Sequence, residues 1–431
     1  MSERYLVISA DDHAGPPLPA FRPYFERSER DDFDRYWRAR PMASAAESAA
    51  HGDLDALASA LVLFMKASGA GEEAARGFAE RAHRLTAGLF DSSVRDECLD
   101  TEGIAGEILY PDGFVENHPP FSDAPDGPFH SSPSGYPFAL RLAGARAYNR
   151  WLADFCAEAP ERRLGAILLP PANDVAAVVE EMVRARESGL RGGALIPPLA
   201  PGLPGYQDAL YDPVWAAAAD LGLPIAVHGG NAKAPDAQVV FGTEEPLASV
   251  FHFTECAFFD RRPLWQFIWG GVFDRHPKLK LVFAEALAHW VPQEILRLDE
   301  MYDMWNLKSL RERLRLRPSA YWQQNCAITA TFPSRAEVGM REEIGPRNML
   351  WGSDFPHPEG TWPYTRTCQK HAFQGVPVEQ AALLLGSNAL DLYDFDRMAL
   401  QRLADRIGPR AQDIITAPDV LPVNYVGMGL R

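Results

Sequence analysis

The sequence predicts an α/β chain folded as a (β/α)8 barrel of the TIM type, on three observations. Short β-rich runs recur along its length, helical segments separate most of them, and four of the runs end abruptly in an acid or a histidine. Alternating strand and helix signals mean a parallel sheet covered by helices, and eight such units close into a barrel. The barrel domain takes residues 1–404, with a helical insertion over 14–103 after the first strand, and an extended C-terminal arm takes 405–431.

The first strand is Tyr5–Ser9, an apolar run that follows a polar start. The others are Gly106–Tyr110, Leu164–Leu169, Gly192–Ile196, Ile225–Val227, Leu279–Ala284, Cys326–Thr331 and Met349–Gly352. Between them, Asp174–Ser188, Pro213–Leu221, Pro263–Phe273 and Pro292–Met304 place apolar residues near the 3.6-residue helical period. The insertion carries helical patterns at Asp32–Arg38, Leu54–Met65 and Glu72–Leu85 and no convincing strand. Its place after a strand puts it at the C-terminal mouth of the barrel, where loops shape a pocket, so it reads as a lid or a subunit surface. Asp112–Pro137, rich in proline, is a second long mouth loop, and no internal repeat is present.

With 431 residues, 47% hydrophobic and 11% aromatic, the chain can bury a large core. A formal net charge of −16 repels nucleic acid and anionic membranes, which leaves a small-molecule partner. Cys98, Cys156, Cys256, Cys326 and Cys368 are too widely spaced for a zinc knuckle or a disulfide framework and read as reduced, mostly buried thiols. The polar Met1-Ser2-Glu3-Arg4 meets an apolar strand with no cleavage-like region, and the apolar stretch from Ala56 to Met65 is too short to span a bilayer. A cytoplasmic protein is expected, without a membrane partner. The insertion and the arm suggest a homodimer or higher oligomer.

Leu350-Trp351-Gly352-Ser353-Asp354-Phe355-Pro356-His357 is the most informative stretch, because an apolar strand delivering an acid into a crowded site implies a cation there. The pattern recurs. Asp11 and His13, two residues apart at the end of the first strand, point to one side. His228 closes Ile225-Ala226-Val227, with Gly229-Gly230 opening the backbone behind it, and Glu285 closes Leu281-Val282-Phe283-Ala284. The strand C-termini of a barrel converge on one mouth, so Asp11, His13, His228, Glu285 and Asp354 become neighbours. Imidazole and carboxylate donors suit zinc, manganese or ferrous iron and not the soft-metal sites. His357, His289, His118 and His252 lie in or near mouth loops and can hold substrate or a second ion. Taken alone, Glu285 has a structural alternative, pairing with Arg297, whereas His276, before its strand, belongs at the opposite end of the barrel.

Ile8-Ser9-Ala10-Asp11-Asp12-His13, Asp212-Pro213-Val214-Trp215 leading to His228, Gly271-Val272-Phe273 with His276-Pro277-Lys278-Leu279-Lys280, and Trp351 to Gly360 occur in an order that resembles the amidohydrolase-related family. Within the amidohydrolase superfamily it is the branch of aminocarboxymuconate semialdehyde decarboxylase. The resemblance covers most of the chain. It implies a (β/α)8 barrel with Asp11, His13, His228 and Asp354 on one divalent metal. Two positions depart from the family's pattern: Asp11 stands where histidine is common, and Glu285 stands where the decarboxylases carry an acid/base histidine.

The expected function is that of a metal-dependent enzyme that hydrolyses, or non-oxidatively decarboxylates, a small organic acid or amide, with zinc as the single ion. Asp354, Glu285 and His357 are the expected catalytic groups. The alternative is a dinuclear iron or manganese–iron oxygenase on the same barrel, with Glu285 as bridge. A further alternative is a non-catalytic subunit that supports a homologous enzyme.

Overall fold

In a computed structural model the chain is described at residues 4–40, 42–67, 72–112, 118–122, 135–199, 202–230, 254–255, 257–416 and 420. All strand pairs are parallel. Strand β1 (Ile8–Ala14) pairs with β2 (Gly106–Pro111), and β2 pairs with β3 (Arg163–Gly165). A second sheet runs in order through β4 (Ile167–Leu168), β5 (Ala194–Leu195), β6 (Ile225–His228), β7 (Leu281–Ala284), β8 (Cys326–Thr331) and β9 (Met349–Gly352).

The two sheets are arcs of one ring. The expected Leu164–Leu169 strand is divided at Ala166, whose N–H donates to Leu109 O on β2 (2.8 Å), while the next N–H, of Ile167, donates to Gly193 O before β5 (2.8 Å). At the other seam Asp354 N–H donates to Asp11 O (2.9 Å) and His13 N–H to Phe355 O (2.8 Å). Alternate residues of the strands, among them Ile8, Ala10, Ile108, Leu164, Ala226, Val282 and Leu350, fill the inside. The outward-facing set packs with the helices in a larger core. The fold class is therefore a parallel α/β barrel of the (β/α)8 type.

Several boundaries differ from expectation, each for a physical reason. The first strand begins at Ile8 and continues to Ala14, because Tyr5 N–H is already taken by Pro409 O (2.9 Å) and Arg4 bridges to Arg410. Asp11 and His13 thus lie within the strand, where the register against β2 shifts between Ser9 and Asp12. The insertion holds α1 (Arg30–Arg38), α2 (Ala43–Ala50), α3 (Asp55–Ala67) and α4 (Glu72–Gly88). A fifth helix, α5 (Ser92–Glu102), precedes β2 and belongs to the barrel: Asp91 caps its N-terminus, and Gly103 ends it in the left-handed region at φ 82°. Pro263–Phe273 breaks into Arg262–Trp269 and Val272–Arg275, because Gly271 turns the chain at φ 67°.

The C-terminal reading also needs correction. Residues 405–416 are not an extended arm: a helix, Arg397–Ile407, capped by Asp396, runs into them, and Ala411–Ile414 forms another turn of helix. Leu400 and Ala404, four apart, bury one face of the first helix, and Gly375 N–H donates to Ile415 O (3.0 Å). The rest of the expected arm, apart from Val420, lies outside the described residues. Cys98, Cys156, Cys326 and Cys368 are buried free thiols, and Cys256 lies outside the described residues. Among the described residues, no helix is long and apolar enough to cross a membrane.

A separate small core under the insertion positions the mouth. Leu57, Phe78, Leu85, Leu89 and Cys98 enclose Phe355, the residue after Asp354. The fit is close: a Cβ on Gly88 would lie 2.6 Å from the Phe355 ring. The insertion thus clamps the segment that carries Asp354 and His357.

Candidate metal centre at the strand ends

Asp11 and His13 are buried on β1. His13 Nδ1 donates to Pro111 O (2.9 Å); a carbonyl only accepts, so this bond places the ring proton on Nδ1 and leaves the Nε2 lone pair facing inward. That Nε2 lies 3.2 Å from Asp354 Oδ1 and 4.0 Å from Asp11 Oδ1. His228, at the end of β6, repeats the arrangement: its Nδ1 faces Gly229 O at 3.1 Å, and its Nε2 faces Asp11 Oδ1 at 3.2 Å. The other oxygen of Asp11 accepts from the Thr331 hydroxyl on β8. His357 Nε2 meets Asp112 Oδ1 at 2.8 Å, and its Nδ1 meets Asp354 Oδ1 at 2.8 Å. The His13 and His357 rings stack with centroids 3.8 Å apart.

Three imidazoles therefore turn a nitrogen toward a carboxylate while the opposite nitrogen is engaged. Two acceptors face to face at about 3 Å are stable only with a proton or a cation between them. In the chain alone that positive charge is favoured on His228 and His357. Burial pulls the His228 imidazole down, but Asp11 bonded to it and Glu285 beside it outweigh this and lift it to about 9. Burial likewise disfavours His357 as a cation, yet Asp354 and Asp112 raise it well above its ordinary value. His13 goes the other way, lowered by burial and by the neighbouring His357. Burial raises Asp354, but His357 and His13 more than reverse this and hold it at about 2.

Asp354 is fully buried, and neither carboxylate oxygen completes a hydrogen bond, although His13 and His357 approach closely. His13 Nε2 is in the same condition. Asp11, His13 and His228 offer donor atoms within 4.8 Å of one another, and so do Glu285, Asp354, His357 and Glu359. Nitrogen and oxygen donors at this spacing fit a divalent cation.

Backbone geometry at the mouth is strained. Glu285 (φ 49°) and Phe332 (φ 37°), directly after β7 and β8, and Asp354 (φ 61°), two residues after β9, lie in the left-handed region, at about 1–3 kcal/mol each. Asp354 is held there by its own N–H on Asp11 O and by His357 N–H on its carbonyl (2.8 Å). Asp12 points away from the mouth and ties the seam: its Oδ1 accepts from Ser9 Oγ (2.8 Å), Phe355 N–H (2.8 Å) and Ser353 Oγ.

Of the expected residues, Asp11, His13, His228, Asp354, Glu285 and His357 come together. Glu285 Oε2 lies 3.6 Å from His228 Nδ1, and Arg297 pairs with Glu294 instead (2.6 Å). His118 and His289 are not brought to the cluster. His118 is buried against the insertion, where its Nε2 meets the Tyr36 hydroxyl at 2.7 Å. His289 is exposed on a turn, and His252 lies outside the described residues. His276 sits away from the mouth, 3.2 Å from Asp212.

Asp112 and Glu359 were missed in the sequence. Asp112 follows β2 as Asp354 follows β9, so the same apolar-run-to-acid signal was available. Glu359, in a turn after Pro358, carries no periodic signal. Burial and the nearby Asp354 raise its carboxyl to about 7, and the same two causes raise Glu285 well above the ordinary range.

The chain is similar to known proteins over most of this architecture. Residues 135–395 match the family model for amidohydrolase. A gamma-resorcylate decarboxylase of Rhizobium sp. (strain MTP-10005) is 27% identical over 219 residues, which cover 49% of this chain and 65% of that protein, just under two thirds of its length. The crystal structure of 5-carboxyvanillate decarboxylase from Sphingomonas paucimobilis superposes with a TM-score of 0.60 at 21% identity, covering 90% of this chain and 99% of that one. The same enzyme from Novosphingobium aromaticivorans, complexed with manganese and 4-hydroxy-3-methoxy-5-nitrobenzoic acid, gives 0.57 at 19% identity over 91% of this chain and 97% of that one. These likenesses share the barrel, and since the matching family model spans more than half of the residues, the chain is a member of the amidohydrolase family.

Proposed function

We propose that the protein is a metal-dependent carboxy-lyase that releases CO2 from a hydroxylated benzoate without an oxidant. The observation that carries this reading is the buried mouth cluster, in which His13, His228 and His357 turn nitrogens toward Asp11 and Asp354. Support comes from the gamma-resorcylate decarboxylase relative and from the 5-carboxyvanillate decarboxylases with the same fold. Among divalent ions the carboxylate-rich donor set favours manganese over zinc, and manganese is present in the Novosphingobium enzyme.

Asp11, His13, His228 and Asp354 would hold the ion. Bound there, it would supply Lewis-acid charge against the substrate's carboxylate and neighbouring hydroxyl. The chain's own groups do the rest. The surrounding strand ends exclude water from Asp11 and Asp354, which strengthens electrostatic interactions inside the site. Glu285, about a quarter exposed, stands at the open side of the cluster with its carboxyl 3.6 Å from His228. From that position it delivers a proton to the ring carbon that bears the carboxylate. The carbon–carbon bond then breaks, its electron pair returns to the ring, CO2 leaves, and water restores the proton on Glu285. Asp112 orients His357 through Nε2, as carboxylates orient imidazoles around metals.

The test is incubation of the manganese-loaded protein with a panel of benzoates that carry a hydroxyl ortho to the carboxylate, with CO2 and the matching phenol measured. Stoichiometric CO2 and phenol without oxygen uptake are expected. Hydrolysis of amides or lactones with no CO2 from any benzoate would overturn the reading.

A further inference from the structure

Each imidazole of the mouth is held by the chain through one nitrogen and faces the cluster with the other: Pro111 O holds His13, Gly229 O holds His228, and Asp112 holds His357. Asp11 follows the same plan with oxygens. Its Oδ1 faces His228 Nε2 at 3.2 Å and His13 Nε2 at 4.0 Å, and its Oδ2 accepts from the Thr331 hydroxyl. Both residues are buried. Thr331 ends β8 and Asp11 belongs to β1, so this bond crosses β9, which pairs with β8 and meets β1 at the seam. The crossing needs a gap in β9. Gly352, paired with Thr331, supplies it: a Cβ there would lie 2.8 Å from Asp11 Cβ and 3.2 Å from Thr331 Oγ1.

We propose that Thr331 is a positioning residue for the metal: its hydroxyl takes up one oxygen of Asp11, so that the carboxylate presents the other alone to the ion. The two oxygens of an aspartate are equivalent, and its last torsion is broad, so an untied carboxylate turns freely and offers a cation one oxygen or both. A donor on Oδ2 stops that rotation. Oδ1 then stays facing the His13 and His228 nitrogens, where the first ion is to be held. Hydrogen bonds to ligating carboxylates orient them as backbone carbonyls orient ligating imidazoles. Strand β8 brings neither acid nor histidine to the mouth in its last residue, and this is what its end contributes instead. The role of Thr331 rests on the divalent metal proposed above and not on decarboxylation.

The test uses the full chain, stripped of metal and titrated with manganese(II) by calorimetry, with the electron paramagnetic resonance spectrum of the bound ion recorded. Thr331→Val keeps the shape and removes the hydroxyl. It should bind manganese about 10- to 100-fold more weakly than the wild type, with an altered spectrum and the wild-type circular dichroism. Thr331→Ser restores the donor and should recover both the affinity and the spectrum. Wild-type affinity and spectrum in Thr331→Val would overturn the proposal. So would Thr331→Ser as weak as Thr331→Val, because packing of the methyl group would then be what matters. Should Thr331→Val fail to fold, Thr331→Ala takes its place with the same expectation. Manganese held by the wild type and weakened in Thr331→Val, with no CO2 from any benzoate, would sink the carboxy-lyase reading and leave the role of Thr331 standing. CO2 release with unchanged affinity in Thr331→Val would do the reverse, and a wild type that binds no divalent ion would overturn both.

Discussion

Asp354 sits where three constraints meet: a left-handed backbone, complete burial, and two imidazoles within 3.2 Å. The first two are costs that the fold bears, and the third shows what they serve, since a carboxylate placed this way holds a cation or a proton between itself and each ring. Asparagine keeps the shape and removes the charge. Asp354→Asn should therefore retain the fold, lower kcat by roughly 10²- to 10⁴-fold, as loss of a proton-transfer or charge-stabilising group does, and weaken manganese binding by about 10- to 100-fold or more. Circular dichroism, metal titration and CO2 release check the three parts, and wild-type turnover in the variant would remove Asp354 from the chemistry. This residue was legible because three apolar residues, Met349, Leu350 and Trp351, precede its Gly-Ser approach and only a charge-binding role explains an acid there. Glu359 was not, because a turn between Pro358 and Gly360 looks alike whether its acid faces solvent or a metal.

At the scale of elements, the mouth depends on how closely the ends of β6 and β7 approach. Gly229 follows His228, and a Cβ there would lie 2.2 Å from Glu285 O, a backbone atom that has nowhere to go. Gly229→Ala should force the two strand ends apart and separate His228 from Glu285 and Asp11. The expected outcome is a loss of manganese affinity of at least tenfold with a destabilisation of about 1–3 kcal/mol, the usual range for overpacking. Metal titration and chemical denaturation would show it, and unchanged affinity would mean that the close approach is unrelated to the site. Helix α5 is anchored differently. Its Arg95 is buried, donates to both oxygens of Glu107 on β2 at 2.8–2.9 Å, and reaches His13 O at 2.8 Å. Removing one partner of a buried pair leaves the other charge uncompensated. Arg95→Met should cost about 3–5 kcal/mol, read from the denaturation midpoint, and a loss below about 1 kcal/mol would show that Arg163, 3.3 Å from Glu107, suffices alone. Sequence patterning did not find α5, because Arg95, Cys98, Leu99 and Glu102 bury a mixed polar and apolar face that the 3.6-residue rule does not count.

Over the whole molecule, strand-helix alternation was enough to read the barrel, because each strand needs a covering helix and the interior needs alternating apolar residues. The C-terminal residues 405–416 were misread, because their packing is set by Tyr5 and Gly375, partners that no local pattern reveals. The same long-range logic makes acid stability a property of the complete barrel. Glu107 is buried at the centre of the β1–β2–β3 sheet. Burial raises its carboxyl, but Arg95 and then Arg163 and Arg162 outweigh that and lower it below the ordinary value. A group whose folded pKa is depressed stabilises the protein above its unfolded pKa, about 4.3 for glutamate, and the contribution fades as pH falls toward the folded value. Glu107→Gln removes that linkage while keeping the volume. The stability gap between wild type and variant should be widest above about pH 5 and should close steadily below that. Urea denaturation at a series of pH values from 7 to 3 measures it directly, and taking the difference cancels the pH dependence of metal binding common to both proteins. A gap that stays constant across the series would mean that the arginines hold Glu107 by shape and hydrogen bonds without shifting its protonation.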